Sequence, residues 1–220
     1  VLDFDGLILD TETPFRQSWQ EIYSAHSLTV APAVWAGLLG SSADPPAAYE
    51  LLERHIGRAV DREAMRAQRI QRELVLLKRE RALPGVERLI DDASVRGLRL
   101  AVASSSERTW VRGHLAHLGL IDRFEVIVCA DDVSATKPSP ELYLSTLEAL
   151  DVRSSEAIAF EDSAHGIRAA KLAGIFCIAV PNAVTRHSPM SDADLVVSSL
   201  AERALDDYIA AAEAQRADAT

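Results

Sequence analysis

The chain has 220 residues, 48% hydrophobic and 25% charged, the make-up of a folded globular protein with ample material for a core. Its formal net charge of −10 opposes phosphate backbones and argues against nucleic-acid binding. No apolar run approaches the ~20 residues of a membrane span, so neither nucleic acid nor membrane is expected as a partner. Cys129 and Cys177 lie in apolar runs and read as reduced, buried thiols of a cytoplasmic protein; their spacing offers no zinc site and no disulfide framework. No signal peptide is expected. The chain begins Val1-Leu2 without Met, and its first strand is short, so a few preceding residues are expected to be missing.

Residues 1–4 read as the end of a buried strand that runs into Asp3-Phe4-Asp5-Gly6. The stretch 14–81 has no strand pattern, and 15–25, 46–56 and 62–81 carry helical periodicity. Phe15, Trp19 and Trp35 are its natural core. Arg62, Arg66, Arg69 and Arg72 share helical spacing, with Lys78, Arg79 and Arg81 following, and read as a solvated face. Pro84-Gly85 marks a turn. Beyond it, apolar strand segments at 98–103, 124–129, 157–160, 175–180 and 195–197 alternate with helical stretches at 86–96, 108–118, 140–150 and 164–173. Pro140 suits a first helical turn and Gly174 a helix stop. The Ala-rich tail 210–220 is expected to fray. The pattern predicts an α/β doubly wound, Rossmann-like parallel sheet formed by 1–13 and 82–220, interrupted by a helical domain at 14–81.

Four polar clusters each follow a different predicted strand. Asp3 and Asp5 form an acidic pair that costs stability unless it holds a cation or a proton; alone, it could be a solvated turn. Ser104-Ser105-Ser106 could bind phosphate through hydroxyl and backbone N–H groups, or cap a helix. Lys137, before Pro138 and a helix, could be aimed back at the sheet, although lone lysines are usually exposed. Glu161-Asp162 could supply oxygen ligands to Mg²⁺, or cap the next helix. Parallel strands bring their carboxyl ends to one edge, where open α/β sheets bind ligands. Acids, hydroxyl and ammonium in one crevice make a kit for Mg²⁺-assisted phosphoryl transfer.

The stretches from Asp3 to Glu12, Val102-Ala103-Ser104-Ser105-Ser106, Lys137-Pro138-Ser139-Pro140 and Phe160-Glu161-Asp162-Ser163-Ala164-His165-Gly166-Ile167 occur in this order. With Ala169-Ala170-Lys171-Leu172-Ala173-Gly174 they span nearly the whole chain. As a set they resemble a haloacid dehalogenase superfamily phosphohydrolase of the β-phosphoglucomutase-like branch. The resemblance implies that Asp3 is a nucleophile forming an aspartyl-phosphate and that Asp5 serves as general acid, then general base. It implies Mg²⁺ held by the Asp3 carboxylate, the Asp5 backbone carbonyl and Asp162, supported by Glu161. Ser104 and Ser105 would bind phosphate, Lys137 would neutralise it, and the helical insert would be a cap that closes over the site. An acid at position 5 favours phosphate chemistry over carbon–halogen cleavage.

The expected activity is therefore a phosphatase of a small phosphorylated metabolite, with a sugar phosphate first among the candidates. The protein is expected to be a monomer or a weak homo-oligomer. The alternative is a sugar phosphomutase. Mutases of this branch carry a Ser-Arg pair after a cap glycine, whereas this chain reads Gly40-Ser41-Ser42-Ala43-Asp44. They also often have a His shortly after the first motif, where this chain has Pro14-Phe15. A receiver-like phospho-acceptor, a non-enzymatic alternative, lacks a long helical insert after its first strand. The six histidines show no ligand spacing, and His165 is expected to stand near the acids without binding metal.

Overall fold

A computed structural model describes residues 1–30 and 45–218. Trp35 and residues 39–44, where the mutase pattern was compared, lie outside the described residues. The chain divides into two compact units, Val1–Asp10 with Arg81–Thr220, and Thr11–Glu80.

The first unit is built on a parallel sheet. Strands β1 (Ala101–Ala103) and β2 (Val126–Val128) pair with each other, as do β3 (Ile158–Glu161), β4 (Phe176–Ala179) and β5 (Leu195–Val196). The N-terminal residues join the two groups. Leu2 bridges in parallel to both Val102 and Phe160, with Asp3 N–H donating to the Phe160 carbonyl at 3.0 Å. The order is thus β2, β1, residues 1–3, β3, β4, β5. The direction of winding reverses at residues 1–3, and the switch point of such a sheet is where ligands bind.

The strands are short and apolar because both faces are covered; every residue of β1 and β4 is buried. Helices α4 (Val86–Val95), α5 (Arg108–His117), α6 (Glu141–Ala149), α7 (Ala164–Leu172) and α8 (Leu205–Asp218) belong to this unit, while α1 to α3 belong to the second. Leu142, Tyr143 and Leu147 of α6 pack with Ile167, Ala169 and Ala170 of α7 and with strand residues Ala103, Ala159 and Cys177 in one apolar core. The expected strand at 98–103 begins later. Leu98 N–H instead closes the end of α4 on the Ala93 carbonyl, next to Gly97 at φ +66°. The C-terminal stretch corrects a second expectation: α8 is helical to Asp218, anchored by Tyr208, which is buried with its ring 5.3 Å from Phe160.

The second unit contains α1 (Glu12–Ala25), α2 (Pro46–Ile56) and α3 (Arg62–Leu77). Phe15, Trp19, Ile22 and Tyr23 on α1 pack against Ala48, Tyr49 and Leu52 on α2. Helix α3 starts at an Asp61 cap whose side chain accepts from Ala64 N–H. It stops at Leu77, four residues short of the expected end. The arginine row is not a solvated face throughout. Arg69 is buried, pairs with Glu73 at 2.5 Å one turn along, and lies 4.6 Å from the Phe15 ring centroid. Arg62 and Arg72 pair with Glu53 and Glu21.

Candidate active site

The first unit gathers polar side chains at the carboxyl ends of its parallel strands. Asp3 follows the bridging residue Leu2, Ser104 follows β1, Glu161 ends β3 and Asp162 follows it. Lys137 comes from the connection between β2 and α6. The side chains of all five are buried, the pattern expected of functional rather than incidental polar groups.

One side of the site is acidic. The Lys137 ammonium donates to Asp3 Oδ1 at 2.5 Å and to Glu161 Oε1 at 2.6 Å. It also lies 5.3 Å from the Tyr143 ring centroid, while the Tyr143 hydroxyl donates to Glu161 Oε1 at 2.5 Å. One carboxylate oxygen of each of Asp3, Glu161 and Asp162 falls within 4.8 Å of the others. Asn182 Nδ2 donates to Asp162 Oδ2 at 2.7 Å; its own Oδ1 accepts from Val184 and Thr185 N–H, which fixes the direction of the amide.

Burial pushes the Asp3 carboxyl up to about 7; the Lys137 ammonium pulls against that rise, while Glu161 and Asp5 add to it. Burial alone would lower the Lys137 pKa, but Asp3 and Glu161 outweigh it and hold the amine charged above the usual lysine range. Three buried carboxylates thus cluster where one ammonium pairs with two of them, and Glu161 Oε2 is buried without a hydrogen-bond partner. The excess negative charge, the all-oxygen donor set and the orphan oxygen fit a hard divalent cation.

Two glycines make this crowding possible. Gly6 has φ +76°, and a Cβ there would sit 2.5 Å from both Asp162 Oδ2 and Asn182 Nδ2. Gly166, in the first turn of α7, leaves space that Glu161 fills: a Cβ would lie 1.8 Å from Glu161 Oε2. The α7 N-terminus is itself capped by Ser163, whose hydroxyl accepts from Gly166 N–H.

The other side of the site is neutral. Asp5 is half-buried, and its carboxylate has partners other than the acidic trio. Its Oδ2 accepts from Ser106 Oγ at 2.7 Å and from Ser104 Oγ at 3.4 Å; its Oδ1 accepts from Trp110 Nε1 at 3.0 Å. Ser104 Oγ also accepts from Ser106 N–H, so the loop after β1 is ordered by its own hydroxyls.

Asp3, Lys137, Glu161 and Asp162 therefore meet on one side, and Asp5 meets Ser104 on the other. Ser105 points to solvent, and His165 is exposed. Ser106, Trp110, Tyr143 and Asn182 also contact these groups. Asn182 carried a usable signal, because it follows a strand end as the other site residues do. Ser106 lies inside a serine run that does not distinguish it from its neighbours. Trp110 and Tyr143 are helix residues whose facing depends on tertiary packing.

The family model for haloacid dehalogenase-like hydrolases matches residues 1–180. The chain belongs to that family. This haloacid dehalogenase-like hydrolase is 43% identical over 205 residues to the Bacillus subtilis (strain 168) protein named "Putative phosphatase YhcW", with 93% of each chain covered. It is 33% identical over 184 residues to the fructose-1-phosphate phosphatase YqaB of Escherichia coli (strain K12), covering 82% of this chain and 94% of the relative. The crystal structure of CbbY from Rhodobacter sphaeroides in complex with phosphate shares the fold at a TM-score of 0.71 and 30% identity, over 91% of this chain and 93% of that one. Among the described residues, no helix is long and apolar enough to cross a membrane.

Proposed function

We propose that this hydrolase is a Mg²⁺-dependent phosphatase that cleaves a sugar phosphate through an aspartyl-phosphate on Asp3. The observation that carries the proposal is the division of labour around residues 3–5. Asp3 sits with Lys137 and two further acids, whereas Asp5 sits among neutral donors two residues away. A nucleophile beside a cation site and a separate acid–base group are what two-step phosphoryl transfer requires. The sugar-phosphate class rests on the substrate in the name of the Escherichia coli relative.

In the first step an Asp3 oxygen bonds to phosphorus and the bond to the leaving oxygen breaks. Asp5 gives its proton to that oxygen, so an alcohol departs. In the second step water attacks phosphorus, its proton passes to Asp5 and the phosphorus–Asp3 bond breaks. Phosphate leaves, with both carboxyls restored. Lys137 stays protonated and offsets charge on the transferring group, and Ser104 offers it a hydroxyl donor. Asp3, Asp162, Glu161 and the Asp5 carbonyl would hold Mg²⁺, which supplies charge neutralisation when bound. Residues 14–81 serve in this reading as the cap that selects the leaving group.

The test is phosphate release from a panel of sugar phosphates with Mg²⁺, with EDTA, and with Asp3→Asn. Release should depend on Mg²⁺ and fall at least about a thousandfold in the variant. Near-normal turnover by Asp3→Asn overturns the mechanism. Isomer formation from glucose 1-phosphate without release would make the enzyme a mutase.

A further inference from the structure

Asp5 must deliver one proton and take back another, so the orientation of its carboxylate matters. Its two oxygens meet different chemistry. Oδ1 faces the indole N–H of Trp110 at 3.0 Å, a group that donates and never accepts. Oδ2 faces the hydroxyls of Ser106 and Ser104, which can donate or turn to accept. Trp110 is itself held in place. It lies on α5 one turn before His114, and the two rings meet edge-on with centroids 4.4 Å apart. His114 in turn stacks at 6.2 Å on Phe4, the residue between the two aspartates. Phe4 is fully buried, and burial holds His114 below the usual histidine range despite the Asp5 charge, so the ladder behind Trp110 is an apolar wall.

We propose that Trp110 and Ser106 are positioning residues that clamp the Asp5 carboxylate from both sides and fix its orientation. The proposal rests on the phosphatase reading above, because it assigns a purpose to groups that touch the acid–base residue and not the acidic trio. An indole N–H on Oδ1 leaves that oxygen an acceptor. With the serine hydroxyls on Oδ2, the plane of the carboxylate is fixed from both ends. Without the clamp the carboxyl can rotate, and both steps that need Asp5 slow together.

Leaving-group chemistry separates this role from a structural one. p-Nitrophenolate departs without a proton, whereas a sugar alkoxide does not. Trp110→Phe keeps an aromatic ring beside His114 while removing the indole N–H; Ser106→Ala deletes the other donor. Each full-length variant, checked for folding by circular dichroism, is mixed with Mg²⁺ and either p-nitrophenyl phosphate or fructose 1-phosphate in a quenched-flow instrument. With the aryl ester, first-turnover release should fall by no more than about threefold and later turnovers by about tenfold, giving a burst and trapped phosphoenzyme. With fructose 1-phosphate the first turnover itself should fall about tenfold, with no trapped phosphoenzyme. Equal losses in the first turnover on both esters, or wild-type rates on fructose 1-phosphate in both variants, overturn the clamp alone. Turnover that survives Asp3→Asn overturns the phosphatase mechanism and the clamp with it.

Discussion

Asp3 and Asp5 come from the same short loop but occupy two different chemical regions. On the Asp3 side, three buried carboxylates cluster, one ammonium pairs with two of them, and Glu161 Oε2 is buried without a hydrogen-bond partner. On the Asp5 side, a half-buried carboxylate meets two hydroxyls and an indole N–H, and among the described residues no lysine or arginine forms an ion pair with it. Alternation along a strand would put Asp3 and Asp5, two residues apart, on one face; the chain leaves the sheet after its bridge at Leu2, and the two carboxylates find different partners. Two carboxylates of equal intrinsic acidity are thereby assigned unequal tasks by their surroundings. The region short of positive charge suits a metal and a nucleophile; the region rich in neutral donors suits proton transfer.

Breaking the acidic side should have the largest effect. Lys137→Met leaves Asp3 and Glu161 buried without their ammonium, and in the absence of Mg²⁺ should cost about 3 kcal/mol in urea unfolding. Added Mg²⁺ should recover part of that loss by binding the native state. A cost below ~1 kcal/mol would mean that the acids relax into solvent and that the charge imbalance is not held by the fold.

Gly6→Ala tests the close approach of the turn after Asp5 to Asp162. The new Cβ would clash with Asp162 and Asn182 at a backbone angle that L-residues rarely adopt. A stability loss of about 1–3 kcal/mol is expected, with weaker Mg²⁺ stabilisation of the melting temperature because Asp162 must move. Unchanged Mg²⁺ stabilisation would remove Asp162 from the metal site.

The smallest effect is a chemical one on the Asp5 side. Burial pushes the Cys129 thiol up to about 11, with Arg108 opposing and Asp132, Asp131 and Asp5 adding to the rise. The thiolate, which is the reactive form, is then scarce at pH 8 and grows about tenfold per pH unit. Iodoacetamide labelling of Cys129 should therefore be slow at pH 8 and faster at pH 9. Because the folded state keeps this proton longer than the unfolded chain, the group's contribution to stability falls as pH rises from about 9 to about 11. Mg²⁺ should leave the labelling rate unchanged if it sits with Asp3, Glu161 and Asp162. A tenfold acceleration by Mg²⁺ would place the cation on the wrong side.

Much of this arrangement is legible in the chain, for a definite reason. Short apolar runs separated by helical periodicity announce a parallel sheet, and such a sheet gathers whatever follows its strands at one edge. Asp3, Ser104, Glu161 and Asp162 could be found by position alone, and Lys137 by its place between a strand and a helix. Residues on helix faces could not. Trp110 and Tyr143 look like ordinary core aromatics until packing aims an N–H at Asp5 and a hydroxyl at Glu161. Arg69 looks like one of a row of exposed arginines until the Phe15 ring and Glu73 enclose it. The C-terminal tail looks like a fraying Ala-rich end because the anchoring side chain, Tyr208, lies before it. Local pattern specifies the elements; which face of a helix meets the site is decided by neighbours far away in sequence.

The most direct test of the division between the two aspartates is to stop the reaction after its first step. Asp5→Asn, mixed with Mg²⁺ and p-nitrophenyl phosphate and quenched in acid, is digested and read by mass spectrometry. The first step needs no proton for this leaving group and the second needs Asp5, so a phosphoryl group should accumulate on Asp3 in this variant. It should not accumulate in the wild type, and not at all in Asp3→Asn. A phosphoryl group on another residue, or equal amounts with and without Asp3, would contradict the account.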